Sequence, residues 1–212
     1  MENKDAILIV DDDPILLRMA DETLRTDYAV SCVKSGRDAL SLLTSDYVPD
    51  IILLDIYMPE LDGFDTMAAL REIDDVQDVP VVFISGMDRP EIELKGLSFG
   101  AVDYIIKPFV KEILLARIRV HLENGRRLRL LRMMEKSEYS GWLDENKFES
   151  AAIGLTETEK KIMRLIALGY TNQEIGQELN YSYNYVKKVA GIIYEKKCVN
   201  KRSDLKKLIQ SF

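Results

Sequence analysis

Five polar residues in this sequence stand at places where folding alone would put apolar ones. Asp11 and Asp12 follow the apolar run AILIV (6–10), and Asp55 closes DIILLD (50–55). Ser85 closes VPVVFIS (79–85), and Lys107 follows VDYII (102–106). A carboxylate at the rim of a buried run is costly unless its charge is used. Carboxylates brought together repel one another and call for a cation, and oxygen donors without His or Cys suit Mg²⁺ or Mn²⁺. Lys107 adds a second positive charge and Ser85 a hydroxyl. This set is what a phosphoryl group on Asp55 needs. Asp55 is the nucleophile, the metal and Lys107 neutralise the phosphoryl oxygens, and Ser85 hydrogen-bonds one of them.

The elements that carry these residues follow from the pattern. The apolar runs above, with YAVSCV (28–33), alternate with helical stretches predicted over 14–25, 36–44, 61–73 and 89–99 and from near Val110. Five strand-then-helix repeats imply an open, parallel, doubly wound sheet, and the nearly continuous apolar runs suit strands buried on both faces. In such sheets the site lies beyond the carboxyl ends of the strands, where all five polar residues fall.

Composition excludes several classes. The 212 residues are 47% hydrophobic and 31% charged, as in an ordinary globular protein. No basic stretch leading into a long apolar one opens the chain, so neither a secretion signal, a membrane span nor a membrane partner is expected, and a cytoplasmic location is. Cys32 and Cys198 are too few and too far apart for a disulfide framework or a zinc site, and His121, the single histidine, excludes a His-based triad. Charge is unevenly divided. Residues 1–121 hold 12 Lys and Arg against 24 Asp and Glu, a net of −12; residues 122–149 balance at 6 and 6; residues 150–212 hold 11 against 6, a net of +5. We therefore expect a first domain over 1–121, a helical linker over 122–149 and a basic end domain over 150–212 that is able to meet nucleic acid.

The stretches "LIVDDDP" (8–14), "LLDIYMPELDGF" (53–64), "FISG" (83–86) and "GAVDYIIKPF" (100–109) make residues 1 to about 121 resemble a response-regulator receiver domain, a flavodoxin-like fold. The resemblance implies that Asp55 accepts phosphate from a sensor histidine kinase. It also implies that Asp12, Asp55 and the backbone carbonyl of Tyr57 ligate Mg²⁺ directly, with Asp11 acting through water. Ser85 and Lys107 then hold the phosphoryl oxygens, and Tyr104 is the aromatic that reorients on activation. A haloacid-dehalogenase-type phosphatase uses the same Asp and metal, but expects a second acid two residues after the nucleophile, where Tyr57 stands.

The basic end reads as helices joined by tight turns. Thr156 and Glu159 form a capping box that starts a helix running to Leu168, Thr171 caps a second helix, and Ser182 caps a third whose apolar face carries Val186, Val189 and Ile193. This matches a helix-turn-helix that sets its last helix into the major groove. Asn184, Lys187, Lys188 and Gly191 fall on or near that helix's outer side; Lys196, Lys197, Lys201 and Arg202 extend the basic surface toward phosphates. "LTETE", "GYTNQEIGQEL" and "VKK" make 154–209 similar to LuxR/NarL-type output domains. The chain departs from that pattern at Tyr185, Val189 and Lys197-Cys198, and in its run Tyr181, Tyr183, Tyr185.

Between the domains, Leu115, Ile118 and Leu122 are spaced as one seam and Leu128, Leu131 and Met134 as another, with Gly125 interrupting them and Trp142 available as an anchor. A homodimer, formed when the chain is phosphorylated, is expected. The chain thus reads as a transcription regulator of a two-component system that acts enzymatically only on its own phosphoryl group; the alternative is a phosphorylation-controlled module whose tail binds a protein.

Overall fold

The computed structural model describes residues 4–44, 47–73, 75–138 and 143–211, in two compact units that divide at Leu128 and Arg129. The first unit alternates strands and helices: β1 (Ala6–Val10), α1 (Pro14–Leu24), β2 (Ala29–Val33), α2 (Gly36–Thr44), β3 (Ile51–Asp55), α3 (Gly63–Arg71), β4 (Val81–Ser85), α4 (Pro90–Ser98), β5 (Asp103–Ile106) and the part of α5 (Lys111–Glu138) up to Leu128. The strands form one sheet in the order β2-β1-β3-β4-β5, every pair parallel. In register, Val10 pairs with Leu54, Leu54 with Phe83 and Phe83 with Tyr104, which brings the carboxyl ends of β1, β3, β4 and β5 level.

The doubly wound expectation holds side chain by side chain. Leu8, Val10, Ile52, Leu54, Val81 and Phe83 point to one face, against Ala39 and Leu43 of α2 and Met67 and Leu70 of α3. Ile7, Ile9, Ile51, Leu53, Val82 and Ile84 point to the other, against Leu17 and Leu24 of α1 and Leu114, Ile118 and Leu122 of α5. These strand residues are all at most 2% exposed, and each such burial stabilises by about 1.5–3 kcal/mol.

Two local features fix the loops that carry the site. Asp13 caps α1 by accepting from the Ile15 amide at 2.8 Å, with Pro14 at the first helical position. After β3 the chain folds back so closely that a Cβ on Gly63 would lie 2.4 Å from the Asp55 carbonyl oxygen, so only glycine fits there.

The second unit is helical: α6 (Glu145–Ala151), α7 (Glu157–Ala167), α8 (Asn172–Leu179), α9 (Tyr183–Lys196) and α10 (Arg202–Ser211). Phe148, Ile162, Met163, Ile166, Ile175, Val186, Ile193 and Leu205 are its innermost residues. Both capping boxes are formed, Thr156 with Glu159 and Thr171 with Glu174, and Ser182 caps α9.

The stretch 122–149 differs in detail from its sequence reading. Helix α5 runs unbroken through Gly125, because one glycine in a helix costs only about 1 kcal/mol relative to alanine. Its buried seam is Leu114, Ile118 and Leu122, with Leu115 only partly buried, and Leu128 and Leu131 are exposed. Phe148 of α6 belongs to the core of the second unit. Trp142 and the side chain of Met134 lie outside the described residues. No helix among the described residues is long and apolar enough to cross a membrane.

Candidate functional site

The level strand ends deliver the acidic cluster. Asp11 leaves β1, Asp55 is the last residue of β3, Ser85 is the last of β4, and Lys107 follows β5. Lys107 Nζ donates to Asp11 Oδ2 at 2.5 Å and to Asp55 Oδ1 at 2.6 Å, so one ammonium bridges two carboxylates of different strands. Asp11 and Asp55 are only 3% and 4% exposed, whereas Asp12 is exposed. One oxygen from each of Asp11, Asp12 and Asp55 lies within 4.8 Å of the others. Asp11 Oδ1 also accepts from the Asp13 amide at 2.9 Å, which ties the cluster to the start of α1.

Charge balance explains the protonation behaviour. Burial pushes the Asp55 carboxyl above its usual range and Asp11 and Asp12 add to the rise, against the Lys107 bond. Lys107 is also raised: burial lowers it, but its bonds to Asp11 and Asp55 outweigh that. The two directions agree, because one ammonium cannot neutralise three carboxylates. The cluster therefore fits a divalent cation on its own chemistry: oxygen donors only, excess negative charge and one exposed carboxylate on the approach side.

Ser85 is fully buried; its Oγ accepts from the Met87 amide at 3.1 Å, and its carbonyl accepts from the Lys107 amide at 2.8 Å. The Tyr104 hydroxyl donates to the Met87 carbonyl at 2.8 Å. Burial pushes its phenol up, against a hydrogen bond with Ser85. Tyr104 of β5 thus sits inward, 5% exposed, with its hydroxyl on the backbone of Met87, the residue that also bonds Ser85. Tyr57 and Met87 are exposed at 47% and 38%.

On the second unit the residues singled out from the sequence divide. Asn184 and Lys188 of α9 are exposed, and Lys201 is exposed just before α10. Lys187 is partly buried, its Nζ 5.8 Å from the Tyr183 ring centroid. An added Cβ on Gly191 would meet nothing within 4 Å.

Arg202 and Lys196 correct the expectation of a continuous basic surface. Arg202 is 6% exposed, and its guanidinium donates to the Tyr170 carbonyl and, at 3.0 Å, to Asn172 Oδ1, so it ties α10 to the start of α8. Lys196 Nζ donates to both Glu159 oxygens at 2.8 and 2.9 Å, and this bond, with the capping-box bonds, holds Glu159 below its usual range. Lys197 Nζ donates to the Ile153 carbonyl at 2.7 Å. Sequence reading missed these bonds, of which only that of Arg202 is buried, because charge alone does not separate a cation beside an acceptor from one on a free face. It also missed that Tyr181 and Tyr185 meet, although their spacing of four across the turn was visible.

An open parallel sheet with acids, a lysine and a hydroxyl at its strand ends, followed by a helix-turn-helix unit, defines a receiver fold with an output domain. Residues 7–119 match the response regulator receiver domain, and residues 154–208 match the bacterial regulatory proteins of the luxR family; the chain belongs to the response regulators. It is 32% identical over 193 residues to a probable cyclic di-GMP phosphodiesterase of Vibrio cholerae serotype O1, covering 87% of this chain and 41% of that protein. It is 41% identical over 121 residues to the response regulator MprA of Mycolicibacterium vanbaalenii, covering 55% and 49%. The chain thus spans less than half the length of these curated relatives. Among solved structures, the BeF3-activated DrrB receiver domain is 31% identical with a TM-score of 0.51, covering 57% of this chain and 98% of that one. The response regulator StyR is 24% identical with a TM-score of 0.54, covering 99% and 100%, a likeness of fold alone.

Proposed function

We propose that this chain is a transcription regulator whose Asp55 takes a phosphoryl group from a sensor histidine kinase and whose helix-turn-helix unit binds double-stranded DNA. The observation that carries the reading is the bridge from Lys107 to two buried carboxylates beside a third. Three acids gathered at one rim repel one another, and phosphoryl transfer gives them a use, one as nucleophile and the others as holders of a divalent cation.

In the reaction, an Asp55 oxygen attacks phosphorus, and the bond from phosphorus to the donor breaks. The donor leaves with the electron pair. Lys107 Nζ and the Ser85 hydroxyl then hold the phosphoryl oxygens, which draws both away from their present partners. Asp12, Asp55 and the Tyr57 carbonyl would hold Mg²⁺ or Mn²⁺, with Asp11 acting through water. The ion, when bound, supplies charge to offset the phosphoryl oxygens. Tyr104 senses the change through the Met87 loop it shares with Ser85. The phosphodiesterase name belongs to the Vibrio cholerae relative, most of which this chain does not span; this chain acts chemically on its own phosphoryl group only.

The DNA reading rests on the +5 charge of residues 150–212 and on Asn184, Lys187, Lys188, Gly191 and Lys201 on or near the outer side of the tail. We also propose a homodimer on phosphorylation. The exposed apolar residues Leu94 and Leu97 of α4, Ile106 of β5, and Val110 and Ile113 at the start of α5 support it. The cytoplasm is where its kinase and DNA partners meet it.

The test is intact mass after incubation with acetyl phosphate and Mg²⁺. The wild type gains one phosphoryl group and the Asp55→Asn variant gains none while keeping its fold. Equal labelling of both proteins rules the assignment out.

A further inference from the structure

Folding does not explain why two large aromatic rings stand in water at the entrance to α9. Tyr181 and Tyr185 are 38% and 42% exposed, and their ring centroids lie 4.8 Å apart at an interplanar angle of 54°. Neither ring joins the core of the unit, where Tyr170 and Tyr194 pack. The two rings meet each other and still leave 38% and 42% of the two residues open to solvent.

Their backbones are fixed on both sides. The Tyr181 amide donates to the Gly176 carbonyl at 2.8 Å, and Asn180 before it takes a left-handed conformation, φ 55°. The turn is so tight that a Cβ on Gly176 would lie 2.7 Å from the Tyr181 carbonyl oxygen. The Tyr185 amide donates to the Ser182 cap at 3.2 Å, which sets it in the first turn of α9. A large, rigid side chain with two side-chain torsions loses little entropy on contact, and a ring braced by another loses less.

The surroundings point to nucleic acid as the occupant. Helices α7 and α8 place Glu157, Glu159 and Glu174 in their first turns, but α9 places no acid there. Its positive end is thus left for an anion. Asn184 stands beside Tyr185, and Lys188 one turn further on, both exposed. In a helix-turn-helix the first residues of this helix reach base edges. The one apolar group on those edges in the major groove is the thymine 5-methyl.

Resting on the DNA-binding reading above, we propose that Tyr185, braced by Tyr181, selects thymine in the bound site, its ring edge lying against the thymine 5-methyl group. Asn184 and Lys188 then supply the hydrogen bonds to neighbouring base edges. Tyr185 contributes an apolar contact, so its hydroxyl is dispensable.

The experiment selects duplexes from a random library with the phosphorylated full chain, then titrates the selected duplex with each thymine in turn replaced by uracil, which lacks only the methyl. The wild type loses about fourfold in affinity at one thymine or more, the change that removing one buried methyl corresponds to. Tyr185→Phe keeps that discrimination, Tyr185→Ser loses it, and Tyr181→Ala reduces it, all with unchanged melting. Selected DNA that is indifferent to uracil, or discrimination that survives in Tyr185→Ser, overturns this inference and leaves DNA binding intact. A full chain that enriches no duplex and shows no salt-dependent affinity overturns the DNA reading and this inference with it. Binding of the ring pair to a protein instead would then be the occupant left.

Discussion

At the carboxyl edge of the sheet the charged groups face one another; along α9 they divide, Lys188 exposed and Lys196 bonded to Glu159. Asp11, Asp55 and Lys107 come from three different strand ends, separated by as many as 96 residues in sequence, yet they form one bonded cluster. On the second unit, Asn184 and Lys188 stand exposed, while Lys196 and Arg202, a few residues further along, are turned to Glu159 and Asn172. Sheet topology dictates where strand ends meet, so residue type and position in the strand suffice to assemble the first site. A helical surface has no such rule. Which of its cations are spent within the fold depends on the acceptors that neighbouring helices present.

That contrast is most sharply broken or upheld by a pair of substitutions in the tail. Arg202→Ala takes a buried donor from two acceptors and should destabilise the second unit by about 3 kcal/mol in denaturant unfolding. Lys188→Ala should change stability by less than about 0.5 kcal/mol and reduce the salt slope of DNA binding by about one. The reverse assignment, Arg202 neutral to stability and Lys188 neutral to binding, would contradict the division drawn here.

The rim of the acidic cluster offers the next largest effect. Tyr57 and Met87, each two residues beyond a site residue, Asp55 and Ser85, are exposed and offer no carboxylate or amide to position a water. Tyr57→Asn together with Met87→Glu should speed loss of the phosphoryl group about tenfold, which needs only about 1.4 kcal/mol off the barrier. A phosphate-affinity gel over time gives the rate; an unchanged rate means these side chains do not shield the phosphorus.

Smaller again is the left-handed Cys198, φ 54°, at the turn between α9 and α10. Cys198→Gly relieves the strain of a Cβ there and should stabilise the second unit by about 1 kcal/mol. A loss of stability would show that the thiol makes a contact worth more than the strain.

The smallest effect lies in the first unit. Burial raises the Asp103 carboxyl, but hydrogen bonds from His121, Arg117 and the Tyr104 amide outweigh it and hold Asp103 below the usual carboxylate range. A depressed folded-state value contributes stability above the unfolded-state pKa, and that contribution is lost as pH falls through the folded-state value. Asp103→Asn should therefore lower the melting temperature slightly at pH 7, and the gap to wild type should close as pH falls below the carboxylate range. A gap that is independent of pH would assign the effect to packing.

Most of the fold was legible because its signals are local. AILIV, DIILL and VPVVFI are long apolar runs, and the pairs Thr156–Glu159 and Thr171–Glu174 announce helix starts three residues apart. The short helices α6 and α10 were not read, although Phe148, Ala151, Ala152 and Leu155 carry a helical spacing, as do Leu205, Leu208 and Ile209. Their apolar stripes make sense only with the partner helices that cover them. The acidic cluster was legible from strand ends alone. The inward turn of Arg202 was not, since its acceptors lie 30 and 32 residues away and one is a backbone carbonyl.

The central claim is that one carboxylate on the sheet governs what the helical unit does. It is tested most directly by titrating a selected duplex with full-length protein, with and without acetyl phosphate and Mg²⁺, for wild type and Asp55→Asn. The account predicts that acetyl phosphate changes the affinity of the wild type and leaves that of Asp55→Asn unchanged. The same response in both proteins, or none in a wild type shown by mass to be phosphorylated, would contradict it.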